Sequence, residues 1–201
     1  MRSKLFVVFL SSAILGLLVL GSLSSCESKV DHIAVIQSLD STFQSVETAE
    51  KKFNNINRFN TEQFFKGIKG DLDYVQASYK GEMAYDMAKL FADYRSITKL
   101  VKDFGHRHTR LKKEILRTKK QIFDLQSAIM AGATQDAEGN KFSNLYLETH
   151  SSQEVRIAKE LVDEIDEMVE RLKKAQARYD QVYPEIEAAF RELGIMPESE
   201  S

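Results

Sequence analysis

Beyond residue 30, apolar side chains recur at steps of three and four. Ile36, Leu39, Phe43, Val46, Phe53 and Ile56 mark a first amphipathic helix with a coiled-coil-like seam, Glu50 being the one interruption. The stretch NNINRFN breaks this pattern, and Asn60-Thr61-Glu62-Gln63 reads as a capping box that starts a second helix. Phe65, Ile68, Leu72, Val75, Tyr79 and Met83 continue the seam, and from Met83 to Ile129 the steps alternate four and three without a slip. Because the phase passes straight through Gly105, the pattern predicts one helix from about 61 to 131, about 105 Å long. Gly105 would cost it ~1 kcal/mol relative to alanine. Only near Gly81 does the register slip, where consecutive steps of four form a stutter. AGATQDAEGNKFSN, residues 131–144, is a loop by composition. The last stretch is the most regular: Ala158, Leu161, Ile165, Met168, Leu172, Ala175, Tyr179, Val182, Ile186, Ala189 and Leu193 follow in heptads, with Pro184 expected to kink the helix or loosen one turn.

These segments make an all-α chain with helices at about 30–56, 61–131 and 143–193 and a polar tail at 195–201. Composition agrees: no tryptophan, two prolines and nine glycines in 201 residues leave few of the turn signals that a β-rich fold requires. Charge predicts the pairing. Residues 106–120 carry seven Lys/Arg against the single Glu114, whereas residues 159–170 are dense in Glu and Asp with only Lys159 opposing. Folding at the 131–144 loop lays the two blocks side by side as arms of an antiparallel hairpin. Folding at 57–60 lays the first helix against the start of the second. Since the aromatic side chains concentrate there, the expectation is an elongated antiparallel helical hairpin or coiled coil with a three-helix base and a thinner arm over about 105–170. The alternative, with a turn at Gly105, is a compact four-helix bundle.

The N-terminus adds an address. Arg2 and Lys4 precede a run of about sixteen apolar residues, Leu5 to Leu20, too short to span a bilayer and followed by small residues. Leu23-Ser24-Ser25-Cys26 resembles the lipobox of bacterial lipoproteins. That resemblance implies a signal peptide over 1–25, a single helical domain over 26–201, and acyl chains on Cys26, the one cysteine of the chain. Two or more acyl chains, each methylene worth ~0.8 kcal/mol, hold a protein stably on a membrane. A buried thiol or a disulfide is the weaker reading, since the neighbours Ser24, Ser25, Glu27 and Ser28 are polar and no second cysteine exists. Glu27, in place of an aspartate that retains enteric lipoproteins at the inner membrane, points to the outer membrane, periplasmic face.

Candidate chemistry is sparse. His106 and His108 stand two apart, poor ligand geometry on a helix, and His108 falls on the seam where a polar layer can set register. The acidic run Glu160 to Glu170 reads as a solvated flank matched by the basic block, although that block could instead meet anionic lipid heads or cell-wall polymer. No nucleophile arrangement, phosphate loop or metal motif is present, so no enzyme and no cofactor is expected. A formal net charge of -2 gives no nucleic-acid footprint. The leading expectation is a lipid-anchored envelope spacer or adaptor that meets an envelope protein partner; in outline it is similar to the helical arms of periplasmic chaperones and efflux adaptors. The alternative is a periplasmic binding or chaperone-like module. Candidate partner-binding residues are Tyr85, Phe91 and Tyr94 at the aromatic base and Lys141 and Phe142 at the loop, and coiled-coil faces also allow a homo-oligomer.

Overall fold

The computed structural model describes residues 31–136 and 139–195; the expected signal segment, Cys26 and residues 196–201 of the polar tail lie outside the described residues. Among the described residues the chain is all-α. Its five helices are α1 (His32–Asn54), α2 (Arg58–Ser78), α3 (Tyr85–Leu100), α4 (Phe104–Met130) and α5 (Asn144–Glu192).

Most of the predicted seam positions are buried, and the others, such as Phe43, Phe65 and Tyr179, are half-buried against them. Leu39, Val46 and Phe53 on α1, Leu111, Ile115, Thr118 and Ile122 on α4, and Leu161, Ile165 and Met168 on α5 fill a first core. Ile68, Leu72 and Val75 on α2, Phe91, Tyr94 and Ile97 on α3, and Ala175, Val182, Ile186 and Phe190 on α5 fill a second. The two cores follow one another along α5, the one helix that contributes to both at full length. Pro184 lies inside α5 without ending it.

The expected helix over 61–131 is three helices. Its chain reverses at residues 79–84, where the Tyr79 hydroxyl donates to the Glu82 carbonyl across the turn at 3.1 Å. α3 then runs back along α2: Asp71 meets Tyr94, and Arg58 meets Thr109 on α4. Residues 101–103 interrupt the helix a second time, with Asp103 left-handed at φ 61° and α4 starting at Phe104. Gly105 is no turn. A Cβ there would stand 2.9 Å from the Glu62 carboxylate, so its bare backbone lets α2 approach α4. The phase hides the second break, because two helices joined in line present the same stripe as one, and it marks the reversal only as a stutter.

The 57–60 segment does not fold α1 onto α2. Asn57, rather than Asn60, caps α2 by accepting from the Asn60 N–H at 3.0 Å, and α1 packs instead on α4 and α5. Lys52 reaches Asp166 at 2.7 Å, and Lys119 reaches Glu50 at 2.7 Å and Glu47 at 3.3 Å. Residues 105–170 are therefore covered by a third helix and do not form a two-helix arm. The basic and acidic blocks do lie side by side, Arg107 facing Glu164 and Glu167 at 3.4 Å and Arg110 bonded to Glu164. The arrangement is three antiparallel rods: α1 with α2, α3 with α4, and α5.

The hinge between α3 and α4 makes a prediction. A non-glycine residue in the left-handed region costs about 1–2 kcal/mol, less for aspartate than for a branched side chain. Asp103→Gly is expected to keep or raise stability by up to ~1 kcal/mol, and Asp103→Val to lower it by ~1–2 kcal/mol, in urea unfolding. Equal stability of the two variants would mean that this backbone relaxes freely.

Candidate functional site

The loop that joins α4 to α5 is built by its own backbone. Gly132, at φ 64°, ends α4 in a Schellman turn, with Ala133 N–H donating to the Ala128 carbonyl and Gly132 N–H to that of Ile129, both at 3.1 Å. The strand-like return pairs Gln135 with Lys141, and Phe142 N–H donates to the Thr134 carbonyl at 2.9 Å. Ser143 then caps α5 by accepting from Tyr146 N–H at 3.1 Å.

Beneath this loop, between α4 and α5, lies a cleft of about 510 Å³. Phe142, Tyr146 and His150, spaced one turn apart, form its ring-lined side: Phe142 meets Tyr146 edge-on at 5.1 Å, and His150 stacks on Tyr146 at 3.9 Å. Asp136 fixes the rings to the loop. Its carboxylate accepts from the Tyr146 hydroxyl at 2.8 Å, from Asn140 N–H at 2.8 Å and from Asn140 Nδ2 at 2.7 Å. Leu125 and Ala128 give an apolar floor, and Gln121, Asp124, Gln135 and Glu154 give the polar edge.

Glu154 is the chemically notable member. Its Oε2 is shut off from solvent and has no hydrogen-bond partner. Burial pushes its carboxyl above the ordinary range, while the nearby His150 and Arg117 pull it down. An acceptor of that kind stabilises a donor brought into the cleft, because pairing it removes the cost of an unsatisfied buried group. The walls suit a ligand or peptide segment with an apolar or planar body and an N–H or ammonium group. Among the described residues no group of three His, Cys, Asp or Glu is placed to hold a metal ion.

The five candidate partner residues divide between two ends. Phe142 lines the cleft and Lys141 is exposed on the loop beside it. Tyr85 and Phe91 lie at the other end, next to the 79–84 turn; Tyr85 is 80% exposed, and Phe91 lines a groove of about 410 Å³ with Leu72, Val75 and Met83. Tyr94 cannot meet a partner. It is fully buried and its hydroxyl donates to Asp71 at 2.7 Å; burial and the Asp71 carboxylate push that hydroxyl up, so it stays protonated. Aromatic density at helical spacing marked core at Tyr94 and surface at Tyr85, a distinction that needs the packing. His150 and Glu154 escaped notice, although they extend the Phe142–Tyr146 spacing along one line of α5.

Comparison with known protein families, with curated proteins and with solved structures finds no match. The reading of the site rests on its geometry.

The cleft predicts a pH effect. Burial makes the folded chain hold the Glu154 proton more tightly than the unfolded chain does, so the sign is that of a raised acid: its stabilising contribution is present in acid and is lost as pH rises from about 4.5 through the folded value. Glu154→Gln is expected to be more stable than the parent near neutral pH and to flatten the fall in stability from acid to neutral, measured by urea unfolding at each pH. An unaltered slope would show that the carboxylate is already satisfied in solution.

Proposed function

We infer that this chain is a lipid-anchored cell-envelope protein that acts as a spacer and protein-interaction element. The observation that carries this reading is α5, a single helix of 49 residues. At 1.5 Å per residue it is about 73 Å long. The other two rods pack along it in register, so surfaces at its two ends are held a fixed distance apart. The lipobox-like stretch ending at Cys26 supplies the anchor, and Glu27 after it favours the outer membrane, periplasmic face. Among the described residues no helix is long and apolar enough to cross a membrane.

The groove beside the 79–84 turn, with Phe91 on its wall, and the exposed Tyr85 next to the same turn form the surface for an envelope protein partner. A second reading is favoured by one observation, the unpartnered buried oxygen of Glu154. On that reading the chain is a binding module whose loop-end cleft takes a donor-bearing ligand or client segment.

The test is fractionation of cells that produce the full chain. The parent is expected to stay with membranes and to take up labelled palmitate, and Cys26→Ser to move to the soluble fraction without label. A photocrosslinker at Tyr85 is expected to give a defined adduct in the parent. Label-free protein that ignores the Cys26 change would remove the anchor. An adduct formed from Phe142 and never from Tyr85 would favour the binding-module reading.

A further inference from the structure

Asp31, the first described residue, follows Cys26 by five residue steps. A fully extended chain covers at most about 3.6 Å per residue, so a lipid on Cys26 lies within about 18 Å of the start of α1. That start is beside the α4–α5 loop: the Ile36 carbonyl, in the second turn of α1, accepts from Gln126 Nε2 at 3.5 Å, close to the end of α4 at Met130. The first turn of α1, the last turn of α4 and the first turn of α5 share one end of the bundle.

Each of these three turns exposes one large apolar side chain. Ile33 on α1 is 67% exposed, Met130 on α4 65% and Leu145 on α5 73%. A lone exposed apolar residue is ordinary. Three on three different helices, all at the end from which the tether leaves, put apolar surface where a membrane is within reach.

We propose that this end of the bundle rests on the bilayer, with Ile33, Met130 and Leu145 entering the boundary between headgroups and acyl chains. This rests on the reading of Cys26 as the anchor. Lys141, exposed on the loop at the same end, then lies among headgroups, where an anionic lipid attracts it. The occupant is the membrane because the tether keeps this end within about 18 Å of it. The loop is thereby the membrane-proximal end, and the 79–84 turn projects outward.

A competing pose is also visible. Leu116, Phe123 and Met130 recur at seven-residue steps on the outer side of α4, all exposed, beside Lys113, Arg117 and Lys120. A bundle lying flat would use that stripe.

The native chain has no tryptophan, so a single introduced one reports its own depth. The variants are Met130→Trp, Leu145→Trp, Phe123→Trp and Tyr85→Trp, all at exposed positions that leave the core intact. Each chain is held through Cys26 on vesicles of phosphatidylethanolamine and phosphatidylglycerol with brominated acyl chains, by its own lipid where it carries one and otherwise by a maleimide lipid. The expected result is at least twofold quenching of Met130→Trp and Leu145→Trp, clearly less for Phe123→Trp and none for Tyr85→Trp. Equal quenching at Phe123 and Met130 means the flat pose and overturns the proposal, as does no quenching at any position. Emission from Met130→Trp and Leu145→Trp that is already blue-shifted without vesicles, in a particle of doubled mass, gives this end to a second copy and overturns it as well. Natural acylation is judged separately by palmitate label, so a failed anchor and a failed end-on contact give different results.

Discussion

The whole arrangement depends on one constraint: α5 carries a buried stripe from Leu147 to Phe190, apolar but for Ser151, that must be covered along its entire length. One further helix leaves the flanks of such a stripe wet, and two make a closed core. α1 and α4 close it over the first half and α2 and α3 over the second. The breaks in the two covering rods, at 55–57 and at 101–103, both fall at the boundary between the cores. There α5 alone is continuous, and Val101 packs against both cores. The boundary is held by polar contacts: Arg58 bonds Glu62 at 2.7 Å and Thr109 at 3.3 Å across the close approach at Gly105. His108 stacks on Phe53 at 4.4 Å just inside the first core, with Nδ1 unpartnered; burial, together with Arg58 and Lys112, holds it below the ordinary imidazole range and so favours the neutral ring.

Charge selects which rod covers which. Glu50, the one residue that interrupts the apolar seam of α1, sits opposite Lys119 of α4, and Lys52, two residues on and so turned to another face, sits opposite Asp166 of α5. Burial of the Lys119 amine is outweighed by its hydrogen bond to Glu50, and its proton is held more tightly than usual. Exposed pairs contribute on the order of 0–1 kcal/mol each, so their effect is on partner and register more than on total stability. A mismatched register of α1 would take Glu47 and Glu50 away from Lys119 and Lys52 away from Asp166.

Much of the fold was legible in the sequence because heptad spacing reports burial directly: Leu161, Ile165, Met168, Val182, Ile186 and Ala189 are core where the spacing puts them. Spacing reports phase and not direction. An in-line break at Asp103 leaves the stripe intact and the reversal at Gly81 shifts it by only one stutter, so a three-helix path read as one helix. The signals that distinguish them are local, a stutter at the first and a left-handed residue at the second, and only the first leaves a mark in the pattern. The cleft was half legible. Phe142 stood out as an aromatic in a polar loop, whereas Glu154 looks like any exposed helical carboxylate until the loop folds over it.

The number of rods decides how the two ends relate to function. A hairpin with a base of chain ends would put the N-terminus far from the α4–α5 loop. Three rods in up-down-up order put α1's start beside that loop and α5's end beside the 79–84 turn, where Phe91 and Phe190 lie 5.9 Å apart. The two surfaces that sequence composition singled out therefore have opposite surroundings with respect to any N-terminal tether. The loop end is near it, ring-lined and acidic within, and apolar at its rim. The turn end is distant, with an open groove and an exposed tyrosine. An odd number of antiparallel rods is the simplest way for a chain tethered at its start to present a surface at the far end while its loop faces the point of attachment.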